Sequence, residues 1–367
     1  MKRVILMFMG CCLALSVVAQ EKAQQMADTI VKYQLKSGGW PKNQDWLKGV
    51  DPKEAKAWAK TGIGATIDNG ATVFEMNTLA VAVDRVYEIE ADGYGWVDTK
   101  VLEAQREQYR TSFRLGLLYL LKMQYDNGGF PQYFPPKKGE DYSSQITFND
   151  NAMVNVLKLL RDVANDAETY RRMGVDKSLK KKCLAAYEKG LQCVLDCQIR
   201  VDDAGKVLAY GTEEWKTGKK TVWCQQHDKK TLVPVKARAY ELPSYTGQGE
   251  TVAILDLLMD VQNPSEAVKE AVKGGVEWLE AHAMKDVEVE HFWTDGGDDD
   301  IRLVERVGAP LLWARFYDLE KAEPMYCGRD GVPKKNLSDI DYERRNGYQW
   351  VGNAPQRVID RYHQLMY

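Results

Sequence analysis

A mainly α chain, built as an α/α toroid (an incomplete (α/α) barrel of helix hairpins) with few short strands, is what this 367-residue sequence predicts. Three observations carry that expectation. Apolar residues recur at helical spacing through most of the chain, strand-like alternation is scarce, and a glycine-rich turn repeats after successive helices.

The chain opens with Lys2-Arg3, an almost wholly apolar run from Val4 to Val18, and small residues at Val17-Val18-Ala19 before Gln20. This is the pattern of a secretory leader, 1–19, cleaved after Ala19. Cys11 and Cys12 lie in the run, but Phe8-Met9-Gly10 matches a lipobox poorly, so a lipid anchor is disfavoured. No later run reaches the roughly 18–20 apolar residues of a membrane span. Residues 20–367 are expected to form one domain, exported to the periplasm or beyond and monomeric.

Helical spacing then appears in Phe74, Met76, Leu79, Val83 and Val86, and in Tyr109, Phe113, Leu117 and Leu120. It returns in Val154, Leu157 and Leu160, in Leu184, Tyr187, Leu191 and Val194, and in Ile254, Leu255, Leu258 and Met259. Asn263 as N-cap, Pro264 in the first turn and Glu266 in the capping-box position announce a further helix through Val268, Val272, Val276 and Leu279. Thr231 to Ala239 is compatible with a short strand or an active-site loop. Lys180 to Lys182 reads as a solvated helix face. Asp298-Asp299-Asp300 after Gly296-Gly297 reads as a surface loop, with a second cation site as the minor alternative.

The repeat aligns Gln34-Leu35-Lys36-Ser37-Gly38-Gly39-Trp40-Pro41 without gaps on Gln124-Tyr125-Asp126-Asn127-Gly128-Gly129-Phe130-Pro131, and a degenerate third copy starts at Gln198. The glycines let the chain turn back after a helix, proline stops it continuing, and the aromatic covers the helix end. Helix hairpins joined by such turns are the basis of the toroid.

Lys+Arg total 50 and Asp+Glu 53, a net charge of −3, which argues against a nucleic-acid partner. Ten Trp and nineteen Tyr leave no case for disorder. Five cysteines follow the leader, an odd number without a CxxC pair or Cys/His cluster. At least one is therefore unpaired, zinc is disfavoured, and mostly buried free thiols are expected.

Dinucleotide, P-loop, zincin and hydrolase-elbow motifs are absent. Carboxylates and arginines in unusual settings remain. Ile67-Asp68-Asn69-Gly70-Ala71-Thr72 sets an Asp-Asn pair ahead of an apolar helix, and Ile146-Thr147-Phe148-Asn149-Asp150-Asn151 does the same, its aspartate 82 residues later. Such pairs cap helices, and they also suit a hard, oxygen-seeking cation. Arg315, in an aromatic and apolar run, needs a partner, with Glu305 or Asp318 as candidates.

The segments GGWPK, IDNGAT, NGGFPQ, ITFNDNAM, QQHDKKTLVPVKARAYELPS and CGRDGVPKKNLSDIDYERRNGY, in this order from about residue 25 to 352, resemble the family 10 polysaccharide lyases, pectate lyases of α/α-toroid type. The resemblance implies calcium-dependent cleavage of α-1,4-polygalacturonate by anti β-elimination, leaving 4,5-unsaturated products. It implies Asp68 and Asp150 as Ca2+ ligands and Arg238 as the base. Arg315 and Arg329 would clamp the substrate carboxylate, with Asn69 and His227 as substrate-binding helpers. An arginine base is awkward, because a free guanidinium stays protonated; a site crowded with positive charge is the usual physical answer. Gln248-Gly249-Glu250 departs from an expected serine-rich turn, and Glu90–Thr99 and 204–222 look longer than in shorter members. An α/α-toroid glycoside hydrolase using the two aspartates and a non-catalytic polysaccharide-binding protein are the competing expectations.

Overall fold

The structure, a computed structural model, describes residues 22–91, 98–137, 139 and 141–365. The expected leader with Cys11 and Cys12, and positions 92–97 of the Glu90–Thr99 segment, lie outside the described residues.

Every stretch with helical spacing is a helix. The helices are α1 (22–32), α2 (Pro52–Thr61), α3 (Val73–Ala91), α4 (Thr99–Met123), α5 (Ala152–Ala164), α6 (Glu168–Arg171), α7 (Lys177–Cys197), α8 (Glu213–Thr217), α9 (Gly249–Met259), α10 (Glu266–Ala281), α11 (Tyr342–Asn346) and α12 (Ala354–Leu365). The strands pair two by two and antiparallel, and most are two residues long. Among the described residues no helix is long and apolar enough to cross a membrane. The chain divides into two compact units: the first takes the described residues of Met1–Gln124, Tyr133–Lys138 and Asn155–Glu188, and the second those of Tyr125–Gln132, Gly139–Val154 and Lys189–Tyr367.

The repeat has a physical basis in each unit. Gly38 and Gly128 adopt φ of 102° and 91°, and both turns close with the same pair of backbone bonds: Leu35 N to Gly39 O and Gly38 N to Leu35 O, then Tyr125 N to Gly129 O and Gly128 N to Tyr125 O. The glutamine that opens each copy reaches a backbone carbonyl of a later helix. Gln34 Nε2 donates to Ser112 O of α4, Gln124 to Ala186 O of α7, and Gln198 to Ala271 O of α10, each at 2.8 Å. The last carbonyls of a helix have no partner within it. Indole N–H groups fill that need, from Trp40 to Ile30 O of α1, Trp223 to Val194 O of α7 and Trp313 to Leu279 O of α10, at 2.7–2.8 Å. Phe130 holds the same place in its copy, has no indole N–H to donate, and is fully buried.

Beyond each aromatic, a threonine N–H returns to its carbonyl: Thr66 to Trp40, Thr147 to Phe130, Thr246 to Trp223. These threonines open the loops that lead into α3, α5 and α9. In the second unit an aromatic core of Tyr240, Phe316, Met325, Tyr326, Cys327, Leu337, Ile340 and Trp350 lies beneath the arginine-bearing loops, with Tyr348 packed against it. Thr231–Ala239 is a loop with an isolated bridge from His227 to Pro234.

Several local expectations are corrected. The cap of α10 is Ser265, whose side chain accepts from Val268 N, and Asn263 lies outside the helix at φ 52°. Phe74 and Leu184 face solvent, because each lies off the stripe defined by its buried helical neighbours. The Asp298–Asp300 segment belongs to a β-hairpin, Val287–Trp293 paired with Asp299–Glu305. Its Val-Glu-Val-Glu alternation is a strand signal too short to stand out in a helical chain. Asp300 is consumed there by Arg345 and Asn346, which leaves it no cation to seek. The expectation of mostly buried free thiols holds: Cys183, Cys193, Cys197, Cys224 and Cys327 are all free and buried.

A methyl group added at Gly128 would lie 2.1 Å from Lys189 O, whereas one at Gly205, φ 83°, would meet nothing within 4 Å. Gly128→Ala should therefore destabilise by about 2–4 kcal/mol, from backbone strain plus overpacking, and Gly205→Ala by about 1 kcal/mol from strain alone. Urea unfolding of both variants checks the difference.

Candidate active site

The loops that enter α3 and α5 are built alike, and their register differs by one residue from the aspartate-to-aspartate spacing. Thr66 matches Thr147, so Asp68 matches Asn149 and Asn69 matches Asp150. Asn69 and Asp150 are both left-handed, at φ 53° and 52°. In each loop the first polar residue is buried and the second exposed. The two aspartates thus occupy different positions of one motif.

In the first unit the Asp68 carboxylate is 3% exposed and paired with Lys42 Nζ, and it also accepts from Asn69 N at 3.2 Å. Asn69 Nδ2 donates to Asn43 Oδ1 at 2.9 Å. Thr72, buried at φ 63°, holds this loop by donating to Thr66 O at 2.8 Å and accepting from Trp40 N at 3.1 Å. Those two bonds offset the strain of a β-branched residue in the left-handed region.

In the second unit Asn149 Oδ1 accepts from Gln225 Nε2 and, at 3.5 Å, from Arg315, while Asn149 Nδ2 donates to Asp150 Oδ2 at 2.8 Å. The partner of Arg315 is Glu250, at 2.7 Å, and neither Glu305 nor Asp318. Asp318 instead accepts from the backbone of Glu320, Lys321 and Glu323 in its own turn. The Arg315 guanidinium also lies over Tyr348, 4.4 Å from the ring centre. Burial lowers the Arg315 pKa, but the charge of Glu250 and further acidic neighbours including Asp150 outweigh it and keep the group cationic.

Arg238, half-buried, donates to Tyr240 Oη at 2.9 Å and lies 3.4 Å from the Glu241 carboxylate, which also accepts from Arg238 N and from Tyr348 Oη, both at 3.1 Å. Burial again pulls the guanidinium pKa down, and the Glu241 charge and Tyr240 hydroxyl push it above its ordinary value. Arg329 is exposed and holds Glu343 with a two-pronged bond of 2.8 and 3.0 Å. Tyr240 links the group, with Arg238 and Arg329 each 5.8 Å and Arg344 4.6 Å from its ring centre. The second unit therefore assembles Asp150, Arg238, Arg315 and Arg329 around Tyr240 and Tyr348.

Sequence reasoning missed Glu241, Glu250, Gln225, Tyr240, Tyr348 and the buried Arg344. Glu241 had a legible signal, three residues from Arg238. Glu250 had none, being an acid at the start of an apolar helix.

His227 is corrected from a substrate contact to a structural residue. It is fully buried against Phe148, its Nε2 accepts from Cys224 N at 3.1 Å, and its Nδ1 meets Leu232 O at 2.7 Å. Both ring nitrogens serve the backbone, so neither is presented to a ligand. Burial lowers its pKa to about 4, and the ring is neutral.

Among the described residues no three His, Cys, Asp or Glu side chains form a cage for a metal ion. What the second unit offers a hard cation is the exposed Asp150 carboxylate and a buried Glu250 oxygen, Oε2, without a hydrogen-bond partner. Asn149 is spent on Gln225 and Arg315. Such a sparse set fits an ion that takes its remaining oxygens from a bound polyanion.

The family model described as "Pectic acid lyase" matches residues 34–359, and the chain belongs to that family. Among solved structures it is similar to a family 10 polysaccharide lyase from Cellvibrio cellulosa, with 29% identity, a TM-score of 0.71 and 94% of each chain covered. An Asp-to-Ala mutant of family 10 polysaccharide lyase from the same organism, in complex with trigalacturonic acid, matches with 29% identity and a TM-score of 0.72, over 95% of this chain and 96% of that one. No match is found among curated proteins. The α/α-toroid class is thus the fold of the family, and the protein is a lyase acting on polysaccharide. The glycoside hydrolase and the non-catalytic binding protein fall with that assignment.

His227 gives the native state a pH-dependent component. Its folded pKa, about 4, lies below the ordinary value of 6.5, so the unfolded chain binds the extra proton as pH falls between them. The stability it contributes is complete above 6.5 and is lost toward 4, by about 3 kcal/mol. Glu75, buried beneath Trp46, has its pKa raised to about 7 by burial and acts in the opposite sense. The comparison that isolates His227 is therefore wild type against His227→Gln. Their stability difference should shrink by about 3 kcal/mol from pH 6.5 to 4, as read by urea midpoints.

Proposed function

We propose that the protein cleaves α-1,4-linked polygalacturonate by anti β-elimination, that calcium is its cofactor, and that the enzyme is exported. The observation that carries the reaction is the arginine row Arg238, Arg315 and Arg329 mounted on Tyr240 and Tyr348, cations gathered where a uronate polymer would need its charge neutralised. The trigalacturonic acid complex of the Cellvibrio cellulosa lyase supports the substrate. The apolar leader supports export.

The chemistry explains the residues. The C5 proton of galacturonate sits beside a carboxylate, and charge accumulates on that carboxylate as the proton leaves. The C5–H electron pair becomes the C4=C5 double bond, the C4–O bond breaks, and the departing oxygen takes a proton from water. Bound calcium would neutralise the uronate charge, with Asp150 and the unpartnered Glu250 oxygen as the donors that fit it in the second unit. Asp68 would serve only if its carboxylate exchanged the Lys42 ammonium for the ion. Arg315, held by Glu250, and Arg329, able to trade Glu343 for a substrate carboxylate, orient the uronate. Arg238 receives the C5 proton.

Glu241 works against that last step in the free enzyme, because a carboxylate at 3.4 Å favours the charged guanidinium. Arrival of cationic charge nearby and an alkaline medium are what would free a neutral Arg238.

The deciding experiment follows the ultraviolet absorbance of the 4,5-unsaturated product on polygalacturonate, with calcium and then with a chelator. A rise that the chelator stops is expected; new reducing ends without absorbance would refute elimination. Arg238→Ala should lower kcat by at least about a thousandfold, with polymer binding retained. Asp150→Ala should demand more calcium, and an unchanged calcium titration would remove Asp150 as a ligand.

Glu241→Gln tests the tension directly. With the carboxylate gone, the limb on which activity rises with pH should move to lower pH. A limb that stays in place would mean that Arg238 is not the titrating group.

A further inference from the structure

The Val287–Trp293/Asp299–Glu305 hairpin is unused by the proposed reaction, yet it is attached to the same core as the arginine row. Its cross-strand pairs place Val289, Leu303, His291, Ile301, Trp293 and Asp299 on one face. Ile301 and Leu303 of that face pack on the cluster containing Tyr240, Phe316 and Trp350. Trp293 lies on the same face, one rung beyond His291, where the core has ended. Its side chain is 75% exposed, an unusual state for the largest apolar residue.

A second exposed aromatic joins it. Tyr342 donates its hydroxyl to Asp299 O at 2.9 Å, on the rung that pairs with Trp293. Tyr342 opens α11, whose next residue, Glu343, holds Arg329. Contacts therefore run without a break from Arg238 through Tyr240, Arg329 and Glu343 to Tyr342 and the rung of Trp293, all within the second unit. Arg345 and Asn346 clamp Asp300 on the other face of the hairpin, so its tip is held rather than loose.

The charge beside the indole differs from that of the row. Asp295, Asp298 and Asp299 are exposed on the turn and its last rung, and His291 lies 3.7 Å from Asp299. A free uronate stacked here would face three carboxylates, whereas an uncharged ring would meet only the apolar face of the indole. We infer that Trp293 is a stacking platform for an uncharged pyranose of the same polymer, a methyl-esterified galacturonate or a neutral sugar, several residues from the cleaved bond. The inference rests on the proposed substrate and adds a selector for where along a partly esterified chain the enzyme settles.

The test compares wild type, Trp293→Ala and Trp293→Phe on trigalacturonate, on unesterified polygalacturonate and on methyl-esterified pectin of matched length. Trp293→Ala should leave kcat/KM on the trimer unchanged and lower it roughly three- to tenfold on the esterified polymer, mostly through KM, with Phe restoring most of the loss. An equal loss on the trimer, no loss on the esterified polymer, or a larger loss on the unesterified one would each overturn the platform. A neutral galactan added as competitor separates the two sources of the ring: inhibition of wild type but not of Trp293→Ala identifies a neutral sugar, and its absence, with the esterified-polymer loss intact, the methyl ester. Affinity electrophoresis through esterified pectin reads the platform without turnover. Retardation that depends on Trp293 in an enzyme without eliminase activity would refute the reaction and leave the platform standing.

Discussion

Arg315 places a guanidinium, 15% exposed, in an aromatic setting that cannot solvate it, and much of the second unit follows from that constraint. Glu250 must face it, which puts an acid at the start of the apolar helix α9. Asn149 must turn an oxygen toward it, which ties the loop ahead of α5 to the same point. Tyr348 covers its face and in turn donates to Glu241, the partner of Arg238. Removing one member of such a pair leaves the other buried without compensation, at about 3–5 kcal/mol. The geometry of the arginine row is therefore held by the fold before any substrate arrives.

The arginines are not equally committed. Arg315 is locked by a carboxylate that is itself buried, and can only contribute its remaining donors. Arg329 rests on Glu343 at the surface, where an ion pair contributes little and is readily exchanged. Arg238 lies between these extremes, half-exposed beside a buried acid. A binding polyanion would thus take over Arg329 first, meet Arg315 as a fixed post, and reach Arg238 while that residue still answers to Glu241. The gradient from fixed to exchangeable matches a site that must hold one carboxylate firmly and still let a polymer slide or dissociate.

How much of this was legible in the sequence depended on whether the signal was local. The helices of α3, α4, α5, α7, α9 and α10 follow from apolar spacing, and the turns at Gly38 and Gly128 from glycines whose geometry no other residue fits. Arg238 and Arg329 were reached through a resemblance and Arg315 also through its aromatic and apolar run, but two of its anchors were not, because Glu250 and Tyr348 meet Arg315 only through the fold. His227 entered only as a helper that the resemblance implied, and burial with both nitrogens on the backbone shows it as a staple. The long hairpin was passed over because its alternation spans a few residues, several of them charged.

One loop design, used three times, shows how the scaffold separates stability from chemistry. After the threonine that bonds back to Trp40, Phe130 or Trp223, the next position but one is Asp68, Asn149 or Gln248, and all three are buried. Each spends its side chain on the scaffold: Asp68 on Lys42, Asn149 on Gln225 and Arg315, Gln248 on Trp313 O at 2.7 Å. The residue that follows is Asn69, Asp150 or Gly249, left-handed in the first two and free of the core in both. Evolution of function on such a loop needs to alter only the outward residue, since the inward one already holds the turn. By that logic Asp150, not the better-buried Asp68, is where the repeated loop turns a carboxylate outward.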